Sequence, residues 1–244
     1  MGMSPGHVSY EAGRYYVSVT AEIEETSRYN NDLEASYHPQ TDGIGVDLGI
    51  KSLAIVSDGR IFENINTSSR ARRLEKRLRR EQRRLSRKYE MRKKKGGSTA
   101  TASANIEKKK LSVQRLHQRL ANLRRNHENQ IIHALVEQKP RFITVEDLNV
   151  TGMMKNRHLS KAVSEQRFYS FREKLRRKAE IIGIEFRIAD RFYPSSKTCH
   201  ACGHVHSGLK LKDRTYVCPA CGYKEDRDLN AALNLRDTKD YRIA

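Results

Sequence analysis

Three short segments in the first third of the chain alternate apolar residues with small or polar ones, as β-strands with one buried face do. In the first of them, 43–49, Asp47 shares its face with little except glycine. The other two, 51–57 and 60–63, continue the pattern, and the Asp-Gly pair between them is typical of a hairpin turn. We therefore predict a meander of three strands.

The N-terminal residues show a second alternation. Residues 14–24 predict a strand that pairs with 7–10 through the turn at 11–13. The residues that follow, 25–41, are polar and are interpreted as a linker.

Two basic segments show a helical period near 3.6 residues. Segment 68–95 carries a thin stripe of leucines, and a second stripe runs from Leu111 to Leu135 after a Gly/Ser/Thr-rich break at 96–105. Together they predict a long helical hairpin, 66–138, with one apolar seam and a cationic exterior.

The rest of the chain alternates strands and helices. The predicted order is strand 141–148, helix 162–182 ended by Gly183, strand 184–190 and, after a cysteine-rich loop, helix 226–237. Asp228 is taken to mark the start of the last helix. With the meander, this order predicts an α/β fold: a mixed sheet with helices on its faces.

The charge of the chain indicates its class of partner. Among 244 residues, 48 Lys and Arg oppose 29 Asp and Glu, a formal net charge of +19. Such an excess is typical of nucleic-acid binding, although a ribosomal or solubilising role produces it too. Residues 70–95 hold 15 Lys and Arg against three Glu, which favours phosphate contacts over a solvated charged face. The candidate contacts are Arg79, Arg80, Arg83 and Arg84.

The sequence contains no apolar run long enough to span a bilayer and no secretory signal pattern at its N-terminus. We therefore expect a cytoplasmic protein that associates with the nucleoid and has no membrane partner. In that compartment, cysteines serve as metal ligands more often than as disulfides.

The four cysteines form two Cys-x-x-Cys pairs, each followed by glycine, with 15 residues between the pairs. This spacing favours one tetrahedral Zn²⁺ site over a redox pair or free thiols. Four thiolates leave no open coordination position, so the zinc is expected to hold structure and to take no part in chemistry. The predicted ligands are Cys199, Cys202, Cys218 and Cys221.

Three acids stand at the predicted elements where a metal site would form: Asp47, Glu146 and Asp228. An RNase H-like fold brings such positions together at one end of its sheet, where carboxylates that repel one another need cations between them. We hypothesise that they bind two Mg²⁺ or Mn²⁺ ions for phosphodiester hydrolysis. Gly45 and Gly49 would then leave room for metal and phosphate beside Asp47.

The acids also allow an ordinary interpretation. Asp228 is suited to the N-cap of the last helix, and Glu146 to an acid at the rim of the sheet. The small residues Ala231 and Ala232 indicate in either case that the last helix approaches its neighbour closely.

Four motifs, in order along the chain, resemble the RuvC and zinc-ribbon motifs of the TnpB family: GVDLGIKSLAIVSDG, ITVEDLNVTGM, YPSSKTCHACG and YVCPACGYKEDRDLNAALNL. TnpB is an insertion-sequence-encoded, RNA-guided DNA endonuclease related to type V CRISPR effectors. The resemblance covers 43–237 and implies an RNase H-like (RuvC) mixed sheet with a long basic helical insertion and a C-terminal four-cysteine zinc ribbon. By position it implies that Asp47, Glu146 and Asp228 are catalytic and that the neighbouring Asp226 is not.

The resemblance also implies a domain order. The expected parts are 1–41, a β wedge remnant plus linker; 42–190, the RuvC core with its insert 66–138; 191–225, the zinc ribbon; and 226–244, the last RuvC motif and C-terminal helix. Family members carry a wedge barrel and a recognition domain that bind guide RNA and read a target-adjacent motif. Only the last strand pair of the wedge, about 7–24, is recognised here, so we expect no guided double-strand cleavage by this chain alone.

The resulting hypothesis is a metal-dependent DNA endonuclease of TnpB type, with a DNA substrate and, in full-length relatives, a guide RNA. The main alternative is a non-catalytic nucleic-acid-binding protein that regulates transposition or binds the element's RNA. A DDE-type transposase is a third, weaker possibility. The acids separate the first two hypotheses, because a pure binding protein has no need of all three.

Overall fold

A computed structural model describes residues 6–20, 39–94, 100–210 and 212–244. The strands are β1 (His7–Glu11), β2 (Arg14–Ser18), β3 (Ile44–Leu48), β4 (Ser52–Val56), β5 (Ile61–Glu63), β6 (Phe142–Val145), β7 (Glu185–Ala189), β8 (Thr215–Val217), β9 (Lys224–Asp226) and β10 (Tyr241–Ile243). The helices are α1 (Ser69–Lys94), α2 (Ala100–Val136), α3 (Val150–Lys155), α4 (Ser160–Gln166), α5 (Phe168–Ile182) and α6 (Arg227–Asp237), with a 3-10 turn at Ile65–Thr67.

The main sheet has six strands in the order β10-β7-β6-β3-β4-β5. Strands β3, β4 and β5 are antiparallel, which confirms the predicted meander, whereas β6 runs parallel to both β3 and β7. The edge strand β10, antiparallel to β7, was not predicted, because three residues are too few to show an alternation.

The main core joins this sheet to α5 and to the last turns of α2. Phe171, Leu175 and Ala179 of α5 are completely buried, as the amphipathic pattern predicted. Ile131 and Leu135 of α2 belong to the same apolar cluster as the valines of β3 and β6. The sheet therefore buries the apolar residues that gave the strands their alternation.

Helix α6 packs directly on β3 at Gly45. A Cβ at this position would lie 2.0 Å from the carbonyl oxygen of Ala232 and 2.4 Å from the amide nitrogen of Arg236. The expectation that Gly45 leaves room for metal and phosphate is therefore wrong, because helix backbone fills that space. The expected close approach of the last helix through its alanines is confirmed, since Ala231 and Ala232 are both buried.

Two predicted helical segments differ from the structure. The helix predicted over 162–182 is two helices, α4 and α5, separated at Arg167, whose φ of 56° lies in the left-handed region. The predicted break at 96–105 is helical from Ala100 onward, since its alanines favour a helix, and 95–99 lies outside the described residues. Gly183 ends α5 with a φ of 85°, as predicted.

The described residues divide into two compact units. One contains β1, β2 and residues 65–127, and the other contains residues 39–64 and the chain from 128 onward. In the first unit, α1 and α2 pack through the predicted leucine seam, which includes Leu78, Leu116 and Leu120. Within the described ranges, no helix is both long and apolar enough to cross a membrane.

The strand pair β1–β2 also belongs to the first unit, and the predicted pairing through the turn is confirmed, with Ala12 and Gly13 at the turn. Both turn residues have positive φ values, 50° and 80°, as a tight hairpin turn requires. The part of the predicted strand and linker within 21–38 lies outside the described residues.

Candidate functional site

Two of the three acids lie side by side at the C-terminal ends of the two central strands of the sheet. Asp47 is the next residue after Val46 of β3, and Glu146 follows Val145 of β6, and these valines are register partners in the parallel pair. The backbone N–H of Leu48 donates a hydrogen bond to Oε1 of Glu146 at 3.3 Å. Parallel strand pairing therefore brings together two acids that are 99 positions apart in the sequence.

The third acid, Asp228, stands in the first turn of α6. The N-cap of this helix is Asp226, whose carboxylate accepts from the amides of Asp228 and Leu229 at 2.9 and 3.1 Å. The alternative in which Asp228 caps the helix is therefore wrong. Instead, its carboxylate accepts from Nη2 of Arg227 at 2.8 Å, and Nη1 of Arg214 lies 3.8 Å away.

The three acids influence one another electrostatically. Burial, reinforced by the charges of Glu146 and Asp228, raises the pKa of Asp47 well above its ordinary value. Burial also raises the pKa of Glu146 to about 7, despite the hydrogen bonds from the Leu48 amide and with Asp47. A divalent cation would reverse both shifts, because it favours the charged forms.

These acids fit hard divalent cations by their donor chemistry. They offer only carboxylate oxygens, which Mg²⁺ and Mn²⁺ prefer, and they come from β3, from the residue after β6 and from α6. Among the described residues, the four cysteines are the only group of metal-binding side chains whose ligand atoms all lie within 4.8 Å of one another. Among the acids, Asp47 and Glu146 are joined by a side-chain hydrogen bond, and the charge of Asp228 acts on both.

The cysteine cluster has the dimensions of a zinc site. The Sγ atoms of Cys199 and Cys221 are 3.7 Å apart, and those of Cys202 and Cys218 are 3.6 Å apart. A tetrahedral zinc with Zn–S bonds of about 2.3 Å would separate its sulfurs by about 3.8 Å. The four predicted ligands therefore meet in one place, and their geometry is consistent with zinc binding.

The backbone forms two matching turns around these sulfurs. The Gly203 N–H donates to the carbonyl of Cys199 at 2.9 Å, and the Gly222 N–H donates to that of Cys218 at 3.0 Å. Both glycines have φ values near 75°, which explains their place after each pair. Although burial opposes the shift, the Cys221 and Ala220 amides help lower the pKa of Cys218 to about 6, which favours the thiolate.

Helix α6 connects the cysteine loop to the acids. Asn230, which is fully buried, donates from Nδ2 to the carbonyl of Thr198 at 2.7 Å and accepts from the His200 amide at 3.1 Å. One turn later, Asn234 donates to the carbonyls of Ser195 and Thr198, both at 2.7 Å. The loop next to Cys199 is therefore tied to the helix that carries Asp228.

The four candidate arginines of α1 are exposed but differ in their neighbours. Nη2 of Arg79 lies 3.6 Å from Glu75, and Nη1 of Arg84 lies 3.0 Å from Glu81. In the described part of the chain, no carboxylate lies within ion-pair distance of Arg80 or Arg83. These two arginines are thus the pair whose charge is least compensated.

Two further sets of polar residues near the acids were not identified from the sequence. Asp147 binds Arg172 and Arg191, both at 2.8 Å, and no local pattern joins residues so far apart. The pair Asn230 and Asn234 did leave a signal. Two amides one turn apart beside buried alanines must find hydrogen-bond partners.

Two family models match the chain. One, described as a probable transposase (OrfB_IS605), matches residues 18–157, and the other, described as a Cas12f1-like TNB domain, matches residues 168–235. The first model covers more than half of the chain, and the second covers α5, the cysteine loop and most of α6.

Curated relatives extend the likeness. A putative RNA-guided DNA endonuclease of Streptomyces pristinaespiralis is 34% identical over 224 residues, covering 92% of this chain and 50% of that protein. The putative RNA-guided DNA endonuclease InsQ of Escherichia coli (strain K12) is 30% identical over 243 residues, covering 93% and 54%. The chain therefore spans about half the length of the curated relatives it matches.

A solved structure has a similar fold. The cryo-EM structure of a CRISPR-Cas12f ternary complex superposes with a TM-score of 0.58 at 17% identity, covering 95% of this chain and 44% of that chain. At this identity the likeness concerns the fold alone. It agrees with the α/β class predicted from the sequence, a mixed sheet with a C-terminal cysteine cluster.

Proposed function

The chain belongs to the TnpB family, and on this premise we propose that it is a metal-dependent DNA endonuclease with a RuvC-type catalytic centre. The observation that carries the proposal is the meeting of Asp47, Glu146 and Asp228 from three separate elements. A protein that only binds nucleic acid gains nothing from a cluster of carboxylates that repel one another and also repel the phosphates of its partner.

The proposed reaction is hydrolysis of a phosphodiester bond. The three acids would hold two Mg²⁺ ions, which supply an activated water and stabilise the leaving oxygen. The Leu48 amide orients Glu146, and Arg227 holds the carboxylate of Asp228. Close packing of α6 on Gly45 keeps Asp228 near the other two acids.

The other parts of the chain receive supporting roles. Zinc bound by the four cysteines would stabilise the loop that Asn230 and Asn234 tie to α6. The exposed arginines of α1 would contact the phosphates of DNA or of a guide RNA, without preference for sequence. The guide RNA is proposed because the curated relatives are named as RNA-guided. Sequencing the nucleic acid that co-purifies with the chain would identify it.

Cleavage assays with single-residue variants test the catalytic proposal. We expect slow nicking of single-stranded DNA in Mg²⁺ or Mn²⁺, which Asp47→Ala and Glu146→Ala abolish while DNA binding is largely kept. Asp226→Ser is the matched control, because serine keeps the helix cap and removes only the neighbouring charge. Cleavage by Asp47→Ala at the wild-type rate would overturn the catalytic role of Asp47, and a wild type that binds DNA without cleaving it would favour the non-catalytic alternative, a nucleic-acid-binding regulator.

A further inference from the structure

A depression beside the three acids extends away from the proposed metal site and shares only Glu146 with it. It consists of a cavity of about 260 Å³, lined by Glu146 and Tyr169 among others, and a larger one of about 780 Å³, lined by Phe192 among others. The two cavities share Asp147 and Arg191 as lining residues. They are therefore adjacent and together make up a depression whose smaller cavity is lined by Glu146.

Two arginines hold the centre of this depression. Asp147 directly follows Glu146, and its oxygens accept from Nη1 of Arg172 and Nη2 of Arg191, each at 2.8 Å. One carboxylate thus faces two guanidinium groups, which leaves the trio with a net positive charge. Because Arg191 is 52% exposed, its remaining N–H groups can reach an anion.

Two aromatic rings accompany these charges. Tyr169 is 63% exposed and Phe192 is 87% exposed, the highest exposure of any large apolar side chain in the described ranges. The turn that carries Phe192 is nonetheless well anchored, because the backbone N–H of Phe192 donates to Oδ1 of Asp190 at 2.8 Å. The Asp190 N–H in turn donates to the carbonyl of Asp240 at 2.8 Å. The hydrogen-bonded turn thus holds the ring of Phe192 in solvent, accessible to an external partner.

We propose that this depression is a docking site for single-stranded nucleic acid, which leads the strand to Glu146. Guanidinium groups that bind phosphates and aromatic faces that stack on bases are the usual components of such sites. A duplex cannot use the rings, because its bases already stack on one another. The statement that the strand leads to Glu146 rests on the proposed nuclease function. Binding of the strand itself is assigned to Arg191, Phe192 and Tyr169.

Equilibrium binding without added Mg²⁺ tests this assignment separately from cleavage. The probes are a fluorescein-labelled single-stranded oligonucleotide and the matching duplex. Phe192→Ala and Arg191→Gln should each weaken single-strand binding about tenfold, as expected for one lost base stack or phosphate contact. Phe192→Ala should leave duplex binding unchanged, because a duplex has no free base to stack on the ring. An oligonucleotide containing 2-aminopurine should lose its stacking-dependent quenching with Phe192→Ala.

Two variants on α5 serve as matched controls. Ile181→Ala removes an apolar side chain that is 51% exposed, and Arg176→Gln removes an arginine paired with Glu180. Both should bind the single strand as the wild type does. Should Arg191→Gln melt at a lower temperature, Arg191→Lys would keep the charge and be measured instead.

The outcomes separate the two proposals. Wild-type single-strand affinity in Phe192→Ala and Arg191→Gln, or equal losses for single strand and duplex in Phe192→Ala, would overturn the docking site whatever the cleavage assay shows. If the variants lose single-strand binding but the wild type never cleaves DNA, the docking site would be supported and the nuclease proposal overturned.

Discussion

Replacing Gly45 with alanine tests the close contact between β3 and α6 that keeps Asp228 near Asp47. The added Cβ would lie 2.0 Å from the carbonyl oxygen of Ala232 and 2.4 Å from the amide nitrogen of Arg236. Both atoms belong to helix backbone, so no side-chain rotation relieves the overlap. Because ordinary contact begins at 3.4 Å, α6 must move away by more than about 1 Å.

The size of the effect follows from this displacement. Overpacking a core typically costs about 1–3 kcal/mol, and a clash with backbone belongs at the upper end. In a chain of this size, a loss of about 3 kcal/mol lowers Tm by about 6–12 °C. A catalytic group displaced by about 1 Å costs about 100-fold in rate, so cleavage should fall by that factor even where the variant is fully folded.

The assay combines thermal unfolding by circular dichroism with cleavage of single-stranded DNA at a temperature well below both melting transitions. Gly49→Ala is the matched control, because its Cβ would meet only the carbonyl oxygen of Ser52, at 3.1 Å. If Gly45→Ala melted and cleaved as Gly49→Ala does, close packing of α6 on β3 would not position Asp228.

Four further predictions concern the zinc loop, its connection to α6, the basic helix and the acids. The wild type should carry one zinc per chain by elemental analysis, and Cys218→Ser should lose it and melt lower; unchanged zinc content would contradict the site. Asn234→Leu removes the side-chain donor to the carbonyl of Ser195 and one of the two donors to that of Thr198, so hydrogen exchange in the cysteine loop should quicken while zinc stays bound; unchanged exchange would exclude the coupling. Reversing the charges of Arg80 and Arg83 together should weaken binding to all DNA sequences alike and lower the slope of log K against log salt concentration by about two. Both effects should exceed those of the same change at the carboxylate-paired arginines of α1. Because burial and neighbouring charges raise the pKa of Asp47 in the folded chain, the folded state binds the extra proton and loses stability as pH rises through the ordinary value toward the raised one. Asp47→Asn should therefore raise Tm at pH 7.5 without added metal and abolish the rise in Tm that Mg²⁺ causes in the wild type; a lower Tm would refute the repulsion among the acids.

The features that could be predicted from the sequence are those encoded by neighbouring residues. The alternation over 43–63 gave the meander, because side chains of a strand point to opposite faces in turn. Two Cys-x-x-Cys-Gly segments predicted the sulfur cluster, since each turn is closed by its own backbone and glycine. Glu146 was recognisable as an acid at the end of a strand.

The features that needed the tertiary structure involve residues far apart in the chain. The sequence pattern assigned the space beside Gly45 to a ligand, and only the packing of α6 shows helix backbone there. The N-cap of α6 is Asp226, and the choice between two nearby aspartates depends on where the backbone first turns. The ion pairs of Asp147 join β6 to α5 and to the turn after β7.

The physical reason is the range of the interactions. Strand and helix periods express local backbone geometry and the need to bury one face, so each can be recognised within a few residues. Which face meets which partner, and how closely, depends on the shapes of elements that the chain brings together only after it has folded. Asp47, Glu146 and Asp228 could be named from their motifs, but their shared burial and raised proton affinity arise from the parallel pairing of β3 with β6 and the contact of α6 with Gly45.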